Sequence, residues 1–96
     1  MQFKKLIPEA TLPTRAYPTD SGLDLYASHD VMLLPHKATQ VATGIACNIP
    51  SGHEAQIRPR SSTSKNGILI SLGTIDQGFR GELVAVATNL ENHSKW

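Results

Sequence analysis

The chain has 96 residues, with nine Lys and Arg against eight Asp and Glu and a formal net charge of +1. That length gives one domain near the lower limit of what a single core stabilises, and the balanced charge provides no basic field to grip a nucleic-acid backbone. One cysteine, Cys47, excludes a disulfide framework within the chain, and no apolar stretch is long enough to span a membrane. Cys47 sits in an apolar run and reads as a buried structural thiol. The expectation is a soluble, cytoplasmic protein with no direct nucleic-acid partner.

Six prolines and seven glycines are spread along the sequence and leave little room for a long helix. The short β-type runs between them follow the pattern of a sandwich or barrel. Met1 to Ile7 is a first strand. Pro8, Pro13 and Pro18 make the next dozen residues an extended connection. Leu23, Leu25 and Ala27 alternate with Asp24 and Tyr26, which puts an apolar face on one side and Asp24 on the other. Val31 to Leu34 is a short strand ended by Pro35. Val41, Thr43, Ile45, Cys47 and Ile49 share one face of a single strand, Pro50-Ser51-Gly52 is a turn, and Ala55 and Ile57 begin the return strand. A helical turn is expected around Ser62 to Asn66, followed by an apolar run from Gly67 to Ser71. Leu83 to Ala87 is apolar at every position, so it is expected to be buried on both faces and paired on both edges. Asn92 to Trp96 reads as a turn, and either a neighbouring subunit supplies the missing partner strand or the sequence stops short of it.

Three segments carry chemical groups. Asp20-Ser21-Gly22-Leu23-Asp24 places a carboxylate on a polar strand face, either merely solvated or holding a metal-bound water. Arg58-Pro59-Arg60-Ser61-Ser62-Thr63-Ser64-Lys65 combines guanidinium forks with hydroxyls, a composition that favours an anion site over an ordinary polar loop. Gly73-Thr74-Ile75-Asp76-Gln77-Gly78-Phe79-Arg80-Gly81-Glu82 fixes an acid and a flat ring among three glycines; it is either a tight hairpin or a site for a planar ligand. His29, His36, His53 and His93 are dispersed, lack zinc spacing and read as surface residues.

Together these segments resemble the first three motifs of the trimeric dUTP diphosphatase family, in the family's order and spacing over nearly the whole chain. Leu12-Pro13-Thr14-Arg15 and Gly44 to Pro50 are also similar. The resemblance implies an all-β fold, a distorted β-barrel or jelly roll, assembled as a homotrimer with sites at subunit boundaries. It implies hydrolysis of dUTP to dUMP and pyrophosphate with Mg²⁺ on the triphosphate. Asp76 would activate the attacking water, Arg60 would brace Asp76 or the phosphates, and Ser61 and Ser62 would bind phosphate oxygens. Asp24 would hold a metal-bound water. Main-chain groups of Gly73, Thr74, Ile75 and Asp76 and of the region around Val84 would form a uracil slot that excludes the thymine methyl. The ring of Phe79 would fill the space needed by a ribose 2′-hydroxyl.

Phe79 stands where the family usually has Tyr, Ser21 where it usually has Ala, and Ser62 where many members have Gly. The family's fourth and fifth motifs, a Gly-Asp-Arg turn with its strand and a glycine-rich tail, would follow Trp96, so the barrel is expected to lack its C-terminal strands and lid. Three functional readings follow: the diphosphatase itself, a deoxycytidine-triphosphate deaminase relative with Glu82 as its acid/base, and a weakly catalytic dUTP-binding module with a regulatory protein partner, as some phage members have.

Overall fold

Strands of three to six residues, interrupted by glycines and prolines, make up nearly all the regular structure of the computed structural model, which describes residues 1–96. In chain order these are β1 (Gln2–Lys5), β2 (Ala38–Ala42), β3 (Ile45–Asn48) and β4 (Ala55–Ile57), then the single-turn α1 (Ser61–Lys65), then β5 (Ile68–Ile70), β6 (Gly73–Ile75) and β7 (Val84–Asn89). Every pairing is antiparallel: β1 with β3, β4 with β6, and a three-stranded sheet in the order β2-β7-β5. The all-β expectation holds, and the expected helical turn lies one residue earlier, at Ser61–Lys65.

Ile45, Cys47 and Ile49 point from β3 and its extension into the main core, where they meet Ala10 and Leu83. Phe3, Ile7, Leu25, Ala55 and Ile75 pack around this cluster. Ile45 is fully buried and Leu83 is 5% exposed, so each contributes about 1.5–3 kcal/mol by leaving water. Cys47 is a free, buried thiol, as its surroundings in the sequence predict. All four histidines are exposed.

Several expectations are corrected. The run Val41 to Ile49 is two strands in two sheets, broken at Thr43-Gly44, where Gly44 takes φ +69°. Val31 to Leu34 is not a strand; only Leu33 pairs, in an isolated bridge to Lys95. Pro35 has no N–H to extend that ladder, and His36 at φ 57° turns the chain away. The same bridge ties Lys95, in the 92–96 segment, to Leu33. Leu23 remains 38% exposed while Leu25 reaches the core, so this alternation does not bury one apolar face.

The β7 strand is paired on both edges by β2 and β5 of the same chain, with no need of an outside strand. Its burial is uneven: Ala87 and Asn89 are buried, whereas Val84 is 37% exposed. Finally, β6 and β7 do not pair with each other, so the segment from Gly73 to Glu82 is not a hairpin ladder. It is a looped-out turn between two sheets, closed by the Phe79 amide donating to the Asp76 carbonyl at 3.0 Å.

Candidate active site

Two adjacent cavities collect nearly all the candidate residues. The smaller, about 360 Å³, is lined by Gly73, Thr74, Ile75 and Asp76 on one side and Glu82, Leu83 and Val84 on the other, with Ile57 behind and Phe79 at the rim. The register of β6 explains the first wall. Gly73, Thr74 and Ile75 pair with Ile57, Gln56 and Ala55, which leaves the opposite edge of β6 turned away from its partner strand. The turn that follows carries Asp76 and Phe79, both exposed. Its shape is held by side chains that sequence reasoning did not single out. Arg80 donates from Nη1 to the carbonyls of Gln77 (2.9 Å) and Phe79 (3.2 Å), and Gln77 accepts the Gly52 amide at 3.1 Å through its side-chain oxygen. The Phe79 ring lies over Gly81, where an added Cβ would come within 2.8 Å of the ring's Cζ.

The larger cavity, about 480 Å³, opens between the β1–β3 pair, the β4–β6 pair and the Ser21–Ala27 segment. Its charged groups are Arg15, Asp24, Arg58 and Arg60. Asp24 is fixed by a two-way backbone bridge to Thr14, with N···O distances of 2.6 and 3.2 Å. Its carboxylate faces Arg60 at 3.7 Å, with the Asp24 side chain 28% exposed and that of Arg60 64% exposed. A solvent-accessible pair of this kind adds little to stability, about 0–1 kcal/mol. Arg60 also begins α1, its carbonyl accepting the Ser64 amide at 3.0 Å. Arg58 is held against Gln56 by two 3.3 Å bonds.

The structure therefore joins Asp24 with Arg60, and Asp76 with Phe79, Val84 and the β6 main chain. It does not join the two sets. Arg60 pairs with Asp24 and lines a different cavity from Asp76, so within one chain it does not brace Asp76. Ser61 and Ser62 lie exposed on the first turn of α1 and line neither cavity. Ile57, Ile75 and Leu83 line both, forming an apolar wall between them. No group of three or more His, Cys, Asp or Glu side chains is placed to hold a metal ion.

Glu82 is occupied structurally: its Oε2 accepts the Gly44 amide at 2.8 Å. Burial pushes the Cys47 thiol above its ordinary range, and the positive charge of Arg80 partly opposes this.

The family model described as dUTPase matches residues 8–94. The deoxyuridine 5'-triphosphate nucleotidohydrolase of Picosynechococcus is 42% identical over 97 residues, covering 98% of this chain and 66% of that protein. The protein of the same name from Hydrogenobaculum is 45% identical over 93 residues, covering 93% and 65%. The chain thus spans just under two thirds of the length of these curated relatives. Among solved structures, a mutant dUTPase from phage phi11 of S. aureus, described as revealing the coordination of a structural Mg(II) ion, superposes with a TM-score of 0.89. It is 31% identical over 93% of this chain and 59% of its own. The dUTPase of Staphylococcus bacteriophage 80alpha, described as controlling the transfer of virulence genes, also gives 0.89, at 32% identity over 94% and 59%. The shared fold is the distorted β-barrel, or jelly roll, that the sequence resemblance implied.

Proposed function

Because the chain belongs to the dUTPase family, we propose that it hydrolyses dUTP to dUMP and pyrophosphate, with Asp76 accepting a proton from the attacking water. The observation that carries this reading is the smaller cavity. One exposed carboxylate, one aromatic ring and two walls of main chain converge there in the order the family's third motif requires. A base with two carbonyls and an N–H fits walls of alternating backbone donors and acceptors. The ring of Phe79 would lie against the sugar, and Asp76 is the one carboxylate of the slot not already bonded within the protein.

In the reaction, the oxygen of water bonds to the α-phosphorus while the bond from that phosphorus to the bridging oxygen breaks, and pyrophosphate leaves. Asp76 takes the proton, and Arg60, Arg58 and Arg15 supply positive charge for the triphosphate. The donor set fits Mg²⁺ held mainly by phosphates and water: a lone carboxylate, Asp24, is offered in place of a protein cage. When bound, Mg²⁺ would offset phosphate charge, with Asp24 contacting a water in its shell. The separation of Asp24 and Arg60 from Asp76 supports a site shared between copies, as in a homotrimer. The engagement of Glu82 by Gly44 argues against a deaminase, whose acid/base must be free to move protons.

The test is pyrophosphate release from dUTP, with dTTP and UTP as controls, by the wild type and by Asp76→Asn. The expected result is dUTP-selective release that falls at least about a hundredfold in the variant. Equal rates would remove Asp76 from its role, and dUTP binding with no release from the wild type would return the reading of a binding module.

A further inference from the structure

Glu82 and Leu83 form one wall of the slot, yet neither belongs to a strand. What holds them is the corner where β2 ends and β3 begins. Thr43 is 2% exposed and donates from Oγ1 to the Leu83 carbonyl at 2.6 Å, while accepting the Ile45 amide at 3.2 Å. The Leu83 amide donates to the Ile45 carbonyl at 2.8 Å, and the Gly44 amide donates to the Glu82 carboxylate at 2.8 Å. Three bonds thus tie the two wall residues to three consecutive residues of the corner.

The corner is itself immobilised. The Gly44 carbonyl accepts the Leu6 amide at 2.7 Å. Gly44 also packs so closely that an added Cβ would lie 2.8 Å from Ile7 Cγ1 and 2.9 Å from Ala10 Cβ. The slot wall is therefore fastened to the buried corner between β2 and β3 and not to the exposed turn that carries Asp76.

We propose that Thr43 and Glu82 are positioning residues that fix the width of the base slot, and with it the rejection of a 5-methylated pyrimidine. This rests on the reading of the slot as a uracil site. One methyl group changes pocket affinity by only about 10–200-fold, and a wall free to yield forfeits most of that difference. A buried hydroxyl and a carboxylate acting together on adjacent residues give the wall no low-energy alternative position, because shifting it leaves a buried carbonyl and a backbone amide unpaired.

The experiment uses four variants of the chain, Thr43→Val, Thr43→Ser, Glu82→Ala and Glu82→Gln, with two readouts. The first is the ratio of dissociation constants for the α,β-imido analogues of dUTP and dTTP, which separates binding from turnover. The second is amide hydrogen exchange at Leu83 in the free protein, with the buried Leu33 amide, which donates to the Lys95 carbonyl at 2.6 Å, as the internal control for folding. In Thr43→Val and Glu82→Ala the dUTP preference is expected to fall about tenfold or more. Leu83 exchange in the same two variants should accelerate by a similar factor while Leu33 stays protected. Thr43→Ser and Glu82→Gln, which keep the hydroxyl and an acceptor, are expected to restore both. Unchanged exchange at Leu83 would overturn the positioning role, and faster exchange with an unchanged preference would overturn the link to specificity. A wild type that binds both analogues equally, with the exchange pattern intact, would count against the uracil reading alone.

Discussion

Phe79 shows how a single departure from the family pattern can be read chemically. Its ring is 43% exposed at the slot rim and rests on Gly81, so its position comes from packing and from the Arg80-braced turn, with no side-chain hydroxyl involved. Phe79→Tyr is therefore expected to leave the dUTP-to-UTP preference within about twofold, because the ring face proposed to oppose a 2′-hydroxyl is unchanged. Phe79→Ala opens that space, and the preference, measured as a ratio of kcat/KM values, should fall about tenfold or more. Cys47 links stability to pH. Its thiol is raised by desolvation in the fold, so above the ordinary thiol range the unfolded chain ionises first and the folded state binds more protons. Stability from this group is thus complete below about pH 8.5 and declines as pH rises towards the higher folded value. Urea midpoints measured from pH 7 to pH 10 should show that decline, and Cys47→Val should flatten it.

Gly44, at φ +69°, divides the run from Val41 to Ile49 into two strands. The period-two pattern of Val41, Thr43, Ile45, Cys47 and Ile49 is real, and the last four of these are buried. Alternation reports which side of the chain faces the core, however, and that side is preserved through a corner. Nothing in the pattern distinguishes one strand from two that share a buried side; the available signal was an isolated glycine inside it. Gly44→Ala should cost about 2–4 kcal/mol, combining the left-handed φ penalty with overpacking against Ile7 and Ala10. Gly52→Ala, at φ +78° with nothing within 4 Å, should cost only about 1 kcal/mol, since conformation alone is at stake. Denaturant midpoints of the two variants make the comparison, and equal losses would contradict the packing argument. The site segments were legible because chemistry lies in residue types and their order. Asp24, Asp76 and Phe79 each reach a cavity, and the main-chain slot of Gly73 to Asp76 is present. The wall fastened by Thr43 was not legible, because a buried threonine forty residues from its acceptor leaves no local mark. Nor was the unpaired path of the Asp76–Phe79 turn: a glycine-rich stretch between two apolar runs looks like a hairpin until strand partners are known.

At the scale of the whole molecule, the chain is open. Eleven of its 96 residues are buried, and its surface of 6589 Å² exceeds the roughly 5400 Å² of a folded monomer of this mass. It has 34 backbone–backbone hydrogen bonds, where a globular chain of this length has about 65. The chain spans just under two thirds of the length of its curated relatives, and the proposed sharing of the site between copies rests on the division of the site. The basic cluster at Arg60 and the slot at Asp76 open into different cavities of one chain, while the proposed reaction needs a triphosphate and its base to meet both sets. If one copy supplies Arg60 and the next supplies Asp76, two inactive variants can repair each other. Arg60→Ala retains Asp76, and Asp76→Asn retains Arg60. Mixed in equal amounts, unfolded together and reassembled as closed trimers, they form intact sites wherever the two types adjoin in the right order, which gives about a quarter of the wild-type rate. Each variant reassembled alone should stay near background, and the wild type treated identically sets the scale. A site built within one copy would leave the mixture as inactive as its parts, since every site would then carry one substitution or the other.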